Sequence, residues 1–133
     1  MSTPQPSSVP KLTQSIPLIW IRDLKSAETY YQDKLGFESN YEFHWEKDGR
    51  EMGLVGMMRD EIHLQVLTCN CDDRRHDGQG YFIACVEGID ELYKEMQARG
   101  ADIWEELEPC DWGGQVFTIE DPDGNRIEFM QLQ

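Results

Sequence analysis

The chain is short of positive charge. Its 133 residues carry 12 lysines and arginines against 26 aspartates and glutamates, a formal charge of −14. A surface of that sign repels phosphate backbones and anionic lipid, so no nucleic-acid and no membrane partner is expected; it would attract a cationic ligand, but solubility alone accounts for such a charge. Long apolar runs are also missing. No stretch approaches the roughly 20 residues needed to span a bilayer. Met1–Thr13 has no hydrophobic signal core, which makes a cytoplasmic protein the expectation. Pro4, Pro6 and Pro10, with Ser7 and Ser8, instead mark residues 1–13 as a non-helical N-terminal arm.

Cysteine is present but does not form a framework. Cys85 sits inside an apolar strand pattern and reads as a small buried hydrophobe. Cys69 and Cys71 are separated by one residue, which is too close for ordinary disulfide geometry, so free thiols are expected in a chain without a secretion signal. Adding His76 to this pair does not complete a zinc spacing.

What the chain does have is a repeat. Ile16-Pro-Leu-Ile-Trp-Ile-Arg-Asp-Leu-Lys25 opens one half, and Tyr81-Phe-Ile-Ala-Cys-Val-Glu-Gly-Ile-Asp90 opens the other, 65 residues later. Each is an apolar run followed by a polar turn, a helical pattern, a glycine (Gly36 or Gly100) and a new strand-like run. Downstream, Asp60-Glu-Ile-His63-Leu aligns with Asn125-Arg-Ile-Glu128-Phe at the same spacing. A repeat of this kind fixes the fold before any local detail does.

Ile16–Ile21 is β-branched and aromatic, as in a buried strand. Asp23 is placed to cap a helix whose apolar residues Leu24, Ala27, Tyr30, Tyr31 and Leu35 recur at helical spacing. Phe37–Trp45 alternates, and Met52–Met58 and Glu61–Leu67 are strands joined at Arg59-Asp60. Asn70–Gly80 is a polar linker. In the second half, Tyr81–Val86 is a strand, Asp90 caps a helix ending near Gly100, and Ile103–Leu107, Gln115–Glu120 and Asn125–Leu132 are strands. Asp121-Pro-Asp-Gly124 turns the last hairpin. The fold class is therefore α+β: two βαβββ repeats, approximately residues 14–69 and 80–133, forming a curved, open mixed sheet with a cleft. Residues 14–133 are expected to make one domain.

Arg22-Asp-Leu-Lys-Ser-Ala-Glu-Thr-Tyr-Tyr-Gln-Asp-Lys-Leu-Gly-Phe37 resembles the first helix of the vicinal oxygen chelate superfamily, the glyoxalase/bleomycin-resistance/dioxygenase group. Asp121-Pro-Asp-Gly-Asn-Arg-Ile-Glu-Phe129 resembles its last hairpin. With the repeat, the resemblance spans about residues 12–132. It implies four candidate metal-ligand positions on the first and last strand of each half: Ile16, His63, Tyr81 and Glu128. Only His63 and Glu128 are good ligand types, whereas a catalytic metal needs about three protein ligands and an open position.

The segments Glu87–Tyr93 and Asp111–Asn125, and the proline-bearing arm, resemble the bleomycin-resistance proteins within that group. The resemblance implies a homodimer that sequesters a small molecule without a cofactor and without catalytic residues, and an arm that crosses to the partner. It also places Tyr41 and Trp45 where that group stacks its drug. These two are four residues apart on a strand and so share a face, while Phe43 is expected to turn toward the helix-covered core. Trp112 precedes Gly113-Gly114, whose backbone is expected to approach a ligand closely. The candidate ligand-binding residues are thus Tyr41, Trp45, His63, Trp112 and Glu128. The competing expectation is a divalent-metal lyase, isomerase or dioxygenase that uses His63 and Glu128, or a metal-free acid–base pair of the same two residues.

Overall fold

The computed structural model describes residues 9–133. Residues 1–8 of the expected arm, and so most of its proline-rich stretch, lie outside them. In chain order the elements are β1 (Leu18–Trp20), α1 (Leu24–Asp33), β2 (Glu38–Lys47), β3 (Arg50–Arg59), β4 (Ile62–Cys69), β5 (Tyr81–Cys85), α2 (Ile89–Arg99), β6 (Ile103–Pro109), β7 (Gln115–Glu120) and β8 (Arg126–Gln131). Each half is βαβββ and folds into an open four-stranded mixed sheet, ordered β1-β4-β3-β2 and β5-β8-β7-β6. In each sheet the first strand runs parallel to the last, and the other pairings are antiparallel.

The local chemistry explains most of the boundaries. The Asp23 carboxylate accepts from the Ser26 N–H at 2.9 Å and caps α1. Ala27, Tyr30 and Tyr31 form its buried face. The expected strand Ile16–Ile21 is shorter, because Pro17 has no N–H to donate; its carbonyl still accepts from Gln65 N–H at 3.0 Å. The β2–β3 hairpin is longer than the alternation suggested. Asp48 and Gly49 both take positive φ (53° and 76°), the mirror-image turn that matches strand twist. Asp90 does not cap α2. Gly88 holds that position in a left-handed conformation without a side-chain cap, and Asp90 lies in the first turn. The Cys69 and Cys71 side chains lie against each other at the end of β4, with Cα atoms 5.3 Å apart.

One continuous core lies between the sheets and the helices. Ile19, Val55, Met57, Leu64 and Val66 contribute from the first sheet, Ile21 from the segment just after β1, and Ala84, Phe117, Ile119, Ile127 and Phe129 from the second sheet. The halves are further locked by two polar junctions. At one, Tyr31 of α1 donates to Asp121 at 2.9 Å. At the other, Arg59 on β3 grips Glu95 on α2 with two bonds of 2.8 Å, while Arg99 donates to the same carboxylate.

The Arg59 hydrogen bonds hold the Glu95 carboxyl below its ordinary 4.5. A folded value below the unfolded one gives stability that is present above pH 4.5 and lost as pH falls through the depressed value. Glu95 is about one-third exposed, so screening trims the gain. Glu95→Gln should therefore cost about 0.5–1.5 kcal/mol at neutral pH and almost nothing in acid. Urea unfolding of both proteins across that range measures it; a pH-independent difference would show that the ion pair is not its source.

Candidate functional site

Each sheet has one face against the core and one face turned away from the helices. Strand register fixes which side chains share the outer face. In the first half, Tyr41 pairs with Gly56, Phe43 with Leu54 and Trp45 with Met52. On the other edge of β3, Met58 pairs with His63, Gly56 with Gln65 and Leu54 with Leu67. Val55 and Met57, between these positions, are fully buried on the core side. Tyr41, Phe43 and Trp45 therefore all lie on the outer face. Phe43 does not turn to the core: residues two apart on a strand point the same way, and it is 58 % exposed. Its ring centroid is 5.6 Å from that of Tyr41.

Gly56 shapes this wall. A Cβ there would lie 1.9 Å from Cζ of Tyr41, so the tyrosine ring rests directly on the glycine backbone. Lying flat across β3, Tyr41 brings its hydroxyl 2.6 Å from Nε2 of His63 and accepts from the Gln65 amide at 2.9 Å. The outer face of the first half is thus an aromatic and thioether surface with one polar cluster at its centre.

The outer face of the second half has a different chemistry. Tyr81 donates to Glu128 at 2.6 Å, and this bond together with burial raises the tyrosine's pKa. Thr118 pairs with both Glu128 and Glu105, and Val116 with Glu108, which brings three carboxylates onto one surface. Arg126 lies 3.6 Å over the Trp104 ring and is ion-paired to Glu120 at 3.0 Å. Tyr81, Ile83 and Trp104 are all about half exposed.

The repeat register needs a correction at its last strand. Leu18 pairs with Gln65, and the residue equivalent to Leu18, Ile83, pairs with Glu128. The first-half counterpart of Glu128 is therefore Gln65, and His63 corresponds to Arg126. His63 and Glu128 do not meet; their partners are Tyr41 and Tyr81 respectively. The donor set at the superfamily's ligand positions becomes isoleucine, glutamine, tyrosine and glutamate, in which Gln65 and Glu128 are the two ordinary oxygen ligands, one short of the three a catalytic divalent ion usually takes. Among the described residues no three His, Cys, Asp or Glu side chains converge where they could hold a metal.

Trp112 is 59 % exposed in the β6–β7 loop of the second half, whereas Tyr41 and Trp45 lie on β2 of the first. The glycines after it serve the chain itself. Gly114 has φ +92°, and a Cβ there would lie 2.3 Å from the Gln131 carbonyl oxygen, so the close approach is to β8. Sequence reasoning missed Phe43, Gln65, Trp104 and Arg126. Strand parity alone was signal enough for Phe43; the other three depend on cross-strand register.

Residues 14–129 match the glyoxalase/bleomycin resistance protein/dioxygenase superfamily, and the chain belongs to that superfamily. It is 30% identical to the bleomycin resistance protein of Geobacillus stearothermophilus, over 90% of this chain and 97% of that protein. It is also 30% identical to the lactoylglutathione lyase of Neisseria meningitidis serogroup A, over 86% of each. A superfamily member from Sphaerobacter thermophilus superposes with a TM-score of 0.68 at 25% identity, covering 90% of this chain and 98% of that one. No helix among the described residues is long and apolar enough to cross a membrane.

Proposed function

We propose that the protein sequesters a small, flat, cationic compound of the bleomycin type, without a metal and without chemistry on the ligand. The observation that carries this reading is the contrast between the two outer faces. One offers Tyr41, Phe43 and Trp45 for stacking; the other offers Glu105, Glu108 and Glu128 for a positive charge. Aromatic stacking and cation–π contact each contribute on the order of 0.5–2 kcal/mol. The bleomycin resistance relatives support the same reading.

A homodimer completes the site on this reading. Within one chain the two outer faces belong to separate sheets, and both leave large apolar side chains in water: Leu18, Phe43 and Trp45 on one, Ile83 and Trp104 on the other. Apposing the first-half face of one subunit with the second-half face of its partner would cover both and enclose the ligand between aromatic and acidic walls. The compartment consistent with this role is the cytoplasm.

The lactoylglutathione lyase relatives favour a second reading, a metal-dependent lyase or isomerase. Glu128→Gln separates the two. In a metal-free binder it removes one carboxylate of several, and bleomycin affinity should fall by a factor of roughly two to five. In a metal enzyme it removes a ligand and abolishes both metal content and turnover. Elemental analysis of purified protein gives the complementary result: stoichiometric zinc, nickel, iron or manganese would overturn the binding reading.

A further inference from the structure

We propose that the protein has a second, separate binding site, for an amphipathic organic amine, in the groove between the β3–β4 turn and the start of α2. The inference goes beyond the outer-face reading and shares no residue with it.

The groove follows from an inequality between the repeats. Ile21 N–H bonds to Leu67 C=O, and Val86 N–H to Met130 C=O, so the two halves place the ends of β1 and β5 equivalently. At the first junction the facing loop is Asp121–Asn125, between β7 and β8. It fills the space: Asp123 accepts from the Arg22 N–H at 3.0 Å, and the Asn125 amide donates to the Trp20 carbonyl at 3.0 Å. At the second junction the facing loop is only Asp60–Glu61, between β3 and β4. Among the described residues neither side chain of that loop hydrogen-bonds to Glu87 or Cys85, the residues equivalent to Arg22 and Trp20. A cavity of about 680 Å³ remains there.

Its walls state the ligand's chemistry. The floor is apolar, made by Phe37, Ile62, Ala84, Val86, Leu92 and Phe129. The rim carries Asp60, Glu61, Glu87 and Glu91, all exposed and none with an ion-pair partner among the described residues. Arg59, the one cation among the described residues of the rim, lies near Asp60, but its guanidinium is held by both Glu95 oxygens and the Leu35 carbonyl. A volume of this size suits a small organic molecule. An apolar body covers the floor, and a protonated amine meets uncompensated carboxylates. An anion would face net repulsion, and a neutral molecule would forgo the rim.

Titration of the full-length protein with phenylbutylamine, followed by amide chemical shifts, tests the proposal. Phenylbutanol and phenylbutyrate are the neutral and anionic comparisons. The amine should bind saturably, with shifts centred on Ile62, Ala84, Val86 and Leu92, and more tightly than the alcohol; the acid should not bind. Glu87→Gln combined with Glu91→Gln, both exposed, should weaken the amine roughly three- to tenfold without altering the melting temperature. Trp45→Ala, on the outer face, should leave it unchanged. Absence of saturable binding, equal affinity for amine and alcohol, or shifts centred on Tyr41 and Trp45 would overturn the groove site. The last outcome would leave the outer-face reading standing, and loss of bleomycin binding would not touch the groove.

Discussion

Asp121→Ala is expected to destabilise the protein by about 3–5 kcal/mol. The carboxylate is 3 % exposed and accepts four hydrogen bonds: from the Tyr31 hydroxyl, the Asn125 side-chain amide, the Asn125 N–H and the Asp123 N–H, all at 2.8–2.9 Å. Tyr31 is fully buried and Asn125 nearly so. Removing the acceptor leaves their donors in a dry interior, and an unmade buried hydrogen bond costs far more than a made one gains. Burial holds the Asp121 carboxyl above its ordinary range and pushes the Tyr31 phenol well above its own, so the bond between them is one between a buried phenol and a poorly solvated carboxyl. The network also joins the halves, since Tyr31 belongs to α1 and Asn125 donates on to Trp20 of β1. Asp121→Asn keeps the shape but turns one acceptor into a donor, and about half the loss is expected. Urea unfolding gives both values; a loss below about 1 kcal/mol for alanine would mean that water replaces the carboxylate at the junction.

Trp45→Ala should weaken bleomycin binding by about 1–3 kcal/mol while leaving the folded chain intact. Its side chain is 39 % exposed, outside the core, on a strand whose outer face is open along its length. The loss of fold stability should therefore be small, and the loss of stacking surface large. Phe43→Ala is expected to act in the same direction, because the ring continues the same wall beside Tyr41. Calorimetric titration against the wild type, with mass in solution measured in parallel, checks both. Equal loss of dimer and of ligand binding would assign Trp45 to the interface and not to the drug.

The architecture was legible because its signals are local or periodic. The Asp23 cap and the Asp121-Pro-Asp-Gly124 turn each lie within a short window, and the βαβββ repeat is periodic; all three appear in the structure, the repeat with its last strand shifted by two residues. The site was less legible because it depends on register between distant strands. Pairing Ile83 with Glu128 and Leu18 with Gln65 is a two-residue offset that equal sequence spacing concealed, and it replaces His63 by Gln65 at the position matching Glu128. Trp104 and Arg126 come from β6 and β8 and meet across the intervening β7. Phe43 was misplaced for a different reason. An aromatic ring suggests a core side, but alternation along β2 decides the face, and the face opposite the helices is where this chain displays its rings.

The most direct test of the account is isothermal titration of chelator-treated protein with copper-free bleomycin. Saturable heat in the absence of any divalent ion, lost with Trp45→Ala and reduced by added salt, is the result expected from an aromatic wall facing an acidic one. Silence in the metal-free protein, with binding or turnover restored by a divalent ion, would contradict it.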